Sequence, residues 1–544
     1  MSQRTGYPIA PFLGAMALAL LAGCGDDGGE DKGRALPQAI QDVMAKPLYR
    51  NATWGLRVVD LDSGQLVYSV DPGHNLLIAS MRKSFSVGLT LDKLGAAHRF
   101  HTPVYRNGTL DAAGGLDGDL VLVASGDMSM GGRVNPDGSY AITDLDHNES
   151  NDLRDAELTA PDPLAGYKAL AAQIAASGIR RVRGDVVVDE RLWDKFDFRE
   201  QFQVSPIFVN DNVVDVVINP GAVGGPANVV TRPLSAAFDV QSTLMTGAAG
   251  AATDVVLQPF LPSCIGRQPC VGVVTGTVPS DLVGPLTGQL PVPRAFRITE
   301  PANYARTVLI EALAAAGVTV DAPVVAPNAP GRLPVAGAYT ADKRVAELVS
   351  APYGEHAKHI MKVSYNLGAE TSLMHYGLAH GRRSQADALA QERLALVSQF
   401  GLDGSEFTFL DGSGDGETRA SSRAVTGLLG AMAKRPVYSD YLATFPRMGV
   451  DGSQALVTGF MDDATLAGAR GQVHAKTGTF VDGAPNDQMA IRAEVFGGYI
   501  HTRAGRRLAY LLAVNDMEPV PGFDQLVEVI QDLGVISAVV WRDN

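Results

Sequence analysis

Hydrophobic and polar side chains alternate over residues 54–70, WGLRVVDLDSGQLVYSV, on both sides of an Asp-Ser-Gly turn. A period of two around a tight turn predicts a hairpin of two antiparallel strands. The pattern then changes, because Phe85, Leu89 and Leu94 recur at helical spacing and Gly95 favours a helix end. We predict a helix of about fifteen residues here, with Ser80 in its first turn.

Short Val-rich runs separated by Gly and Pro fill the middle of the chain, as in GDLVLVASGD, VRGDVVVDE and VVDVVINPG. This spacing predicts mostly β structure, with a helical interruption at residues 163–178. Helical patterns return past residue 340, for example at 385–401. Strands at 493–500 and 508–515 and a last helix through 523–534 complete the chain.

These patterns predict an α/β (α+β) fold in which both ends of the chain build one domain. Residues 37–100 and 340–544 are expected to form an antiparallel sheet flanked by helices, and residues 101–339 an insert of two large, mostly β domains. A chain of 544 residues with 46% hydrophobic content can bury several cores. The net charge is -14, and no basic run carries interleaved aromatic residues, which argues against nucleic acid as a partner.

The N-terminus has the pattern of an export signal. Arg4 is followed by an apolar run at 9–22 that is too short, and too interrupted by Pro11, to span a bilayer. The stretch LAGC resembles a bacterial lipoprotein signal, which predicts a signal peptide at 1–23 and lipidation of Cys24. An ordinary signal peptide with a chance cysteine is the alternative.

A lipid on Cys24 would hold the protein at a membrane in the periplasm, through a flexible acidic tether at residues 24–36. Gly25 rather than Asp after this cysteine favours the outer over the inner membrane. In such an oxidising compartment, Cys264 and Cys270 are expected to form a small structural disulfide loop.

Three short patterns carry candidate chemistry, each occurring once. Ser80 to Lys83 is an S-x-x-K, Ser364 to Asn366 an S-x-N, and Lys476 to Gly478 a K-T-G. One S-x-x-K alone means little, but this trio in this order is typical of penicillin-binding proteins and class A β-lactamases, with Ser as nucleophile. A serine hydroxyl needs a base, and a neutral lysine amine one helical turn away can be that base.

The trio also predicts how the remaining groups act. Burial, the ammonium of Lys476 and a helix dipole would lower the pKa of Lys83. Ser364 can relay a proton to the leaving amine, and Asn366 can orient Lys83 and bind a substrate amide. The third motif is expected on an edge strand, where Gly478 leaves room for a substrate backbone. A substrate carboxylate would meet Lys476, Thr477 and Thr479. This chemistry needs no cofactor and no metal.

The trio, with the flanking stretches RVVDLDSGQLVYS, IRRVRGDVVVDERLWD and FTFLDGSG, resembles the type-4, class C low-molecular-mass penicillin-binding proteins. The resemblance covers nearly the whole mature chain, and the first two motifs are 364 - 80 = 284 residues apart. It implies a transpeptidase-like domain with two inserted domains and a serine D-Ala-D-Ala carboxypeptidase acting on peptidoglycan stem peptides. It also implies covalent inhibition by β-lactams, and an oxyanion hole made by the backbone N–H groups of Ser80 and Thr479.

Several alternatives stay open on the sequence. DD-endopeptidase activity on cross-links is a version that the motifs do not separate from the carboxypeptidase. A β-lactamase shares acylation but needs a water-activating carboxylate that we cannot assign. A general serine esterase would not need the K-T-G, and a non-catalytic envelope scaffold would not need the catalytic side chains.

Other polar clusters are interpreted without a ligand. His356 and His359 are expected on a helix surface, because neither a third ligand nor H-E-x-x-H accompanies them. The run Thr143 to Asp152 lacks the Gly of an EF-hand loop and is expected to be a solvated acidic loop. Ile78 and Tyr365 depart from the usual family pattern, and residues 480–494 form an unusually long segment that is expected to cover the site as a lip.

Overall fold

A computed structural model describes residues 33–544 of the chain. The predicted signal peptide and Cys24 lie outside the described residues. The α-helices of residues 33–544 are α1 (Gln38–Met44), α2 (Lys83–Leu94), α3 (Ala165–Ala176), α4 (Pro301–Ala315), α5 (Tyr353–Val363), α6 (Asn366–Leu378), α7 (Gln385–Ser398), α8 (Ser422–Met432), α9 (Tyr438–Thr444) and α10 (Phe523–Arg542). None of these described helices has both the length and the apolar character that crossing a membrane requires.

The β-strands of the described chain are β1 (Thr53–Asp60), β2 (Leu66–Val70), β3 (Leu76–Leu77), β4 (His101–Leu110), β5 (Gly115–Val123), β6 (Arg181–Val182), β7 (Val186–Asp189), β8 (Phe196–Phe198), β9 (Phe202–Val204), β10 (Val213–Asn219), β11 (Asn228–Arg232), β12 (Asp239–Ser242), β13 (Met245–Gly247), β14 (Asp254–Gln258), β15 (Val271–Pro279), β16 (Val292–Arg297), β17 (Thr319–Val320), β18 (Arg344–Val349), β19 (Phe407–Thr408), β20 (Arg419–Ala420), β21 (Val473–Ala484), β22 (Gln488–His501) and β23 (Arg507–Asn515).

The main sheet joins the two ends of the chain. Its strand order is β2-β1-β23-β22-β21, and every neighbouring pair is antiparallel. The predicted hairpin at 54–70 is β1 and β2, and the predicted strands near the C-terminus lie within β22 and β23. Among the described strands β21 pairs with β22 alone, so beyond a single bridge between His474 and Arg447 its other edge can meet residues outside the sheet.

Alternation along β23 decides which helices cover each face of this sheet. Leu512 and Val514 share a buried cluster with α10, through Val529, Leu533 and Ile536. The intervening Leu511 and Ala513 join the opposite cluster, which contains α2 and α8. Successive residues of a strand point to opposite faces, so a continuous apolar run serves two helical layers at once. The predicted antiparallel sheet flanked by helices is confirmed.

Strands are the main regular structure of residues 101–339, as predicted. One sheet has the order β17-β6-β5-β4-β18, with β7 also paired to β5. Two further sheets are formed by β11-β10-β16 and by β12-β15-β13 with β14. Arg344–Val349 pairs with β4, so the strand pairing of the middle segment continues beyond residue 339. The division of residues 101–339 into two domains stays a prediction. Cys264 and Cys270 form a disulfide just before β15.

Candidate active site

The first motif lies on a turn that leads into a helix. Residues Ala79–Arg82 form a 3-10 turn, and α2 starts at Lys83, so the predicted helix has a tighter first turn than expected. Ala79 has φ 43, a left-handed conformation that costs a non-glycine residue about 1–3 kcal/mol. The strained turn places Ser80 at the beginning of α2, and Gly95 with φ 82 ends the helix as predicted.

Lys83 connects the first motif to the second. Its Nζ lies 2.6 Å from Ser80 Oγ, donates to Asn366 Oδ1 at 2.7 Å and donates to the Ser413 carbonyl oxygen at 3.0 Å. The side chain is fully buried. Burial, followed by the positive charge of Lys476, lowers the pKa of Lys83 well below its usual range. Lys83 is thus an amine held beside a hydroxyl and favoured in its neutral form.

The second motif is the junction of two helices. Ser364 follows α5 with φ 64, in the left-handed region, and Asn366 is the first residue of α6. The sharp reversal directs the Ser364 hydroxyl towards Lys476, whose Nζ donates to Ser364 Oγ at 2.9 Å. Tyr365 is buried between them and donates its hydroxyl to the Asp211 carbonyl at 3.3 Å. Its ring therefore packs into the middle segment of the chain and leaves Ser364 and Asn366 to face the site.

The third motif lies on β21, the edge strand of the main sheet, as predicted. A Cβ added to Gly478 would lie 2.4 Å from the Ile78 carbonyl oxygen and 3.2 Å from the Ser80 nitrogen. Only a glycine lets the strand pass this close to the turn that carries the serine. The hydroxyls of Thr477 and Thr479 are bonded to other protein side chains. Thr477 Oγ1 donates to Ser453 Oγ at 2.8 Å, and Thr479 Oγ1 donates to Glu494 Oε2 at 2.8 Å.

Two residues of the site, Ser413 and Glu494, were not predicted from the sequence. Ser413, in the DGSG turn, supplies the carbonyl that accepts from Lys83. Glu494 on β22 is fully buried opposite Thr479, and burial raises its pKa to about 8. Only the DGSG turn had a sequence signal, because it resembles a family turn. A single Glu within an apolar strand has no motif that marks it.

The pair Lys476 and Glu494 predicts the alkaline side of the pH profile. Burial lowers the pKa of Lys476 to about 7, while Glu494 acts in the opposite direction. The protonated amine is the form that attracts a carboxylate, so we expect kcat/KM for a substrate with a terminal carboxylate to fall as the pH rises through about 7. Because Glu494, with its own raised pKa, is only partly charged near pH 7, its Coulombic support of Lys476 is partial, and in Glu494→Gln the falling limb should move to lower pH by less than about half a unit.

Initial rates between pH 5 and 9 for the parent and Glu494→Gln test this prediction. Glu518→Gln, which removes an exposed carboxylate that accepts from Asn51 and is not among the charges acting on Lys476, is the control and should keep the parent profile. An alkaline limb that does not move in Glu494→Gln contradicts the coupling.

Behind the serine, Arg82 of the first motif is held by a buried ion pair. Its Nη1 donates to Glu392 Oε1 at 3.0 Å, its Nη2 also donates to Glu392, and its Nε donates to the Asp411 carbonyl at 2.8 Å.

Glu392→Ala leaves the guanidinium buried without its partner, which should lower the free energy of unfolding by about 3–5 kcal/mol. Glu417→Ala breaks an exposed pair with Arg419 and should cost about 1 kcal/mol or less. Urea denaturation of both variants checks the difference; equal losses would contradict it.

The histidines and the acidic run were predicted wrongly. His356 and His359 are buried rather than on a helix surface, and Asp146 and His147 in the acidic run are buried rather than solvated. They belong to an ion network in which Arg133 contacts Asp146 and Asp211. Residues 480–494, the segment predicted as a lip, continue β21 and β22 as a long hairpin, and its covering of the site stays a prediction.

One oxygen and nitrogen cluster of that network has metal-ligand geometry. Atoms of Asp146, Asp211 and His359 lie within 4.8 Å of one another. However, Arg133 Nη1 lies 2.9 Å from Asp146 Oδ2, and Arg133 Nη2 lies 2.5 Å from Asp211 Oδ2. The guanidinium already supplies the positive charge between the two carboxylates, so the cluster is a protein ion network.

The fold and the three converging motifs define a penicillin-recognising serine hydrolase. A sequence profile of the D-Ala-D-Ala carboxypeptidase 3 (S13) family matches residues 36–531, so the chain belongs to that family. The family predicted from the motifs, and the serine peptidase class, are thereby confirmed.

The chain is similar to individual members over most of its length. It is 29% identical over 468 residues to the D-alanyl-D-alanine carboxypeptidase of Actinomadura sp. (strain R39), covering 82% of this chain and 76% of that relative. The crystal structure of penicillin binding protein 4 (dacB) from Haemophilus influenzae superposes with a TM-score of 0.64 at 17% identity, over 93% of this chain and 98% of that one. Its complex with a novel β-lactam (CMV) matches with a TM-score of 0.64 at 18% identity, over 92% of this chain and 99% of that one. These likenesses support the fold.

Proposed function

We propose that the protein removes the terminal D-Ala from peptidoglycan stem peptides through an acyl-enzyme on Ser80. One observation carries the proposal: a fully buried Lys83 amine lies 2.6 Å from Ser80 Oγ and is oriented by Asn366. A neutral amine at hydrogen-bond distance from a hydroxyl is the arrangement that general-base activation of a nucleophile needs.

Acylation proceeds by transfer of the Ser80 proton to Lys83 as Oγ attacks the carbonyl carbon of the penultimate residue. The resulting oxyanion accepts from the backbone N–H groups of Ser80 and Thr479. The carbon–nitrogen bond then breaks, and the leaving D-Ala nitrogen takes a proton through Ser364, which Lys476 contacts at 2.9 Å. Water releases the acyl group in the second half of the reaction and regenerates the serine.

Recognition of the substrate's chain end is assigned to the third motif. Lys476 is a buried cation at the edge strand, and Gly478 lets an extended peptide backbone approach the serine. A β-lactam presents a similar carboxylate beside a reactive carbonyl, so the same residues would acylate it. The opened ring keeps its leaving nitrogen attached, which hinders hydrolysis and leaves a covalent adduct.

The part of the substrate on the acyl side of the scissile bond would face a pocket that is lined by groups of both charges. It adjoins Asn366 and is lined by Glu149, Asp152, Arg199 and Arg297, among others. Carboxylates and guanidinium groups together favour a side chain that carries both an amine and a carboxylate, or one of them. The pocket has a volume of about 30 Å³, so it would contact the charged end of the residue before the scissile pair rather than enclose its side chain.

Release of D-Ala from an Nα,Nε-diacetyl-Lys-D-Ala-D-Ala tripeptide, measured beside its C-terminal amide, tests the proposal. We expect the free acid to be cleaved and the amide to react at least about tenfold more slowly, because the amide lacks the charge that Lys476 attracts. A cross-linked stem-peptide dimer as a second substrate separates carboxypeptidase from endopeptidase activity. Equal rates for acid and amide would favour the general serine esterase.

We also propose export and lipid anchoring at Cys24. The support is the sequence of residues 1–36 and the Cys264–Cys270 disulfide, which is typical of an oxidising compartment. Metabolic labelling with a fatty acid in cells, with Cys24→Ala as the control, tests the anchor.

A further inference from the structure

Two arginines without carboxylate partners line a cavity in the middle segment of the chain. The cavity is about 300 Å³ in volume, and its walls are Asn151, Arg154, Thr253, Asp254, Val255, Leu257, Phe260 and Arg294. It is separate from the three catalytic motifs. Among residues 33–544, neither Arg154 nor Arg294 forms an ion pair within 4.0 Å.

Arg294 is the unusual residue of this pair. Its side chain lies on β16, the residue is only 7% exposed, and its Nη1 donates to the carbonyl of Pro293 at 2.7 Å. A buried guanidinium normally has a carboxylate beside it. The nearby Asp155 acts on Arg294 through its negative charge but forms no ion pair with it within 4.0 Å, because its oxygens accept from the backbone of Leu286 and from Thr287.

Arg154 adds a second positive charge at the same cavity. It is exposed and has φ 55, a left-handed conformation that a non-glycine residue adopts at a cost. Burial, and then the charge of Arg154, lower the pKa of Arg294 to about 10, while the carboxylate of Asp155 acts in the opposite direction. An anion between the two guanidinium groups would offset the effect of Arg154 on Arg294.

The cavity is linked to the active site by one short segment. The Asn151 side chain exchanges two hydrogen bonds with the backbone of Ala295 on β16, and Arg297 donates to the carbonyl of Asn148. The segment 148–154 is thereby fastened along β16. Glu149 and Arg297 face the pocket beside Asn366, whereas Asn151 and Arg294 face the cavity.

We propose that this cavity is a second binding site for a carboxylate-bearing peptide of the polymeric substrate, outside the catalytic cleft. Arg154 and Arg294 bind the carboxylate, Asn151 and Thr253 supply further polar contacts, and Val255, Leu257 and Phe260 pack against short apolar side chains such as alanine methyl groups. Asp254 at the rim would disfavour dianionic groups such as phosphate. The inference rests on the proposed function, because it assumes a peptidoglycan substrate.

Turnover of a polymer and of a short peptide separates this site from the catalytic site. Arg294→Gln and Arg154→Gln should lower kcat/KM on isolated peptidoglycan about tenfold, through KM, and leave kcat/KM on the diacetyl tripeptide unchanged. Arg294→Lys should retain part of the parent's kcat/KM on peptidoglycan, because the positive charge is kept. Arg503→Gln, which removes the same charge from an exposed position elsewhere, should behave as the parent. Thermal unfolding of each variant verifies that it folds; Arg154 is exposed, so its variant keeps the test valid if Arg294→Gln does not fold.

Sedimentation of Ser80→Ala protein with peptidoglycan identifies the anion. Amidation of the polymer's carboxylates should remove the part of binding that depends on Arg154 and Arg294, and stripping of phosphate polymers should not. Loss of binding on phosphate stripping alone would overturn the carboxylate assignment. Unchanged polymer turnover in both arginine variants would overturn the second site, whereas a parent enzyme that cleaves no tripeptide would overturn the proposed function itself.

Discussion

Ser80→Ala will take up no penicilloyl group and release no D-Ala, a loss of about 10⁴-fold or more in turnover. The reason is that, among residues 33–544, Ser80 Oγ is the hydroxyl to which Lys83 Nζ is hydrogen-bonded, its other partners being Asn366 Oδ1 and the Ser413 carbonyl. Ser364, the other motif serine, contacts Lys476. The Lys83 amine would then have no proton to accept. The intact mass of residues 35–544 after incubation with benzylpenicillin measures the adduct directly.

Ser84→Ala is the matched control for this experiment. Ser84 lies one turn further along α2, is buried like Lys83, and donates its hydroxyl to the carbonyl of Met81. The Ser84→Ala variant should be acylated on Ser80 like the parent, because Ser84 does not line the site. An adduct on Ser80→Ala would assign the nucleophile to another residue. Absence of an adduct on the parent, with penicillin left intact, would favour the non-catalytic scaffold.

Lys83→Met will slow acylation by about 10²–10⁴-fold, the usual contribution of a general base. Methionine has a similar length and suits a fully buried position, but it can neither accept the Ser80 proton nor bind Asn366. Stopped-flow acylation by a chromogenic cephalosporin measures the rate. The protein should stay folded, because replacing a buried amine by an apolar side chain removes a desolvation cost.

Lys83→Arg distinguishes a base from a positive charge. A guanidinium remains protonated, so this variant should be as slow as Lys83→Met if the lysine acts as a base. Lys93→Met at the exposed end of α2 is the control and should acylate at the parent rate. Normal acylation by Lys83→Arg would show that charge alone is sufficient and would contradict the proposed proton transfer.

The sequence alone predicted those features that depend on neighbouring residues in the chain. Alternation over residues 54–70 predicts β1 and β2, because the side-chain period of a strand is a local property. The apolar spacing after Ser80 predicts α2, and the order of the three motifs predicts the family and the side chains that meet around Ser80. Lys83 contacts both Ser80 and Asn366, residues that are 3 and 283 positions away in the chain.

Tertiary structure decided what no local pattern contains, namely which distant groups surround a side chain and how much water reaches it. His356 and His359 have the spacing of a helix surface, yet packing of the middle segment buries His356 beside Asp127 and His359 beside Asp146. Glu494 becomes an active-site carboxyl only because β22 pairs with β21. Arg294 belongs to a fully buried strand, and its lack of an ion-pair partner is visible only in three dimensions. Burial and charge pairing depend on contacts across the whole fold, so they set pKa values and binding sites that spacing in the sequence cannot predict.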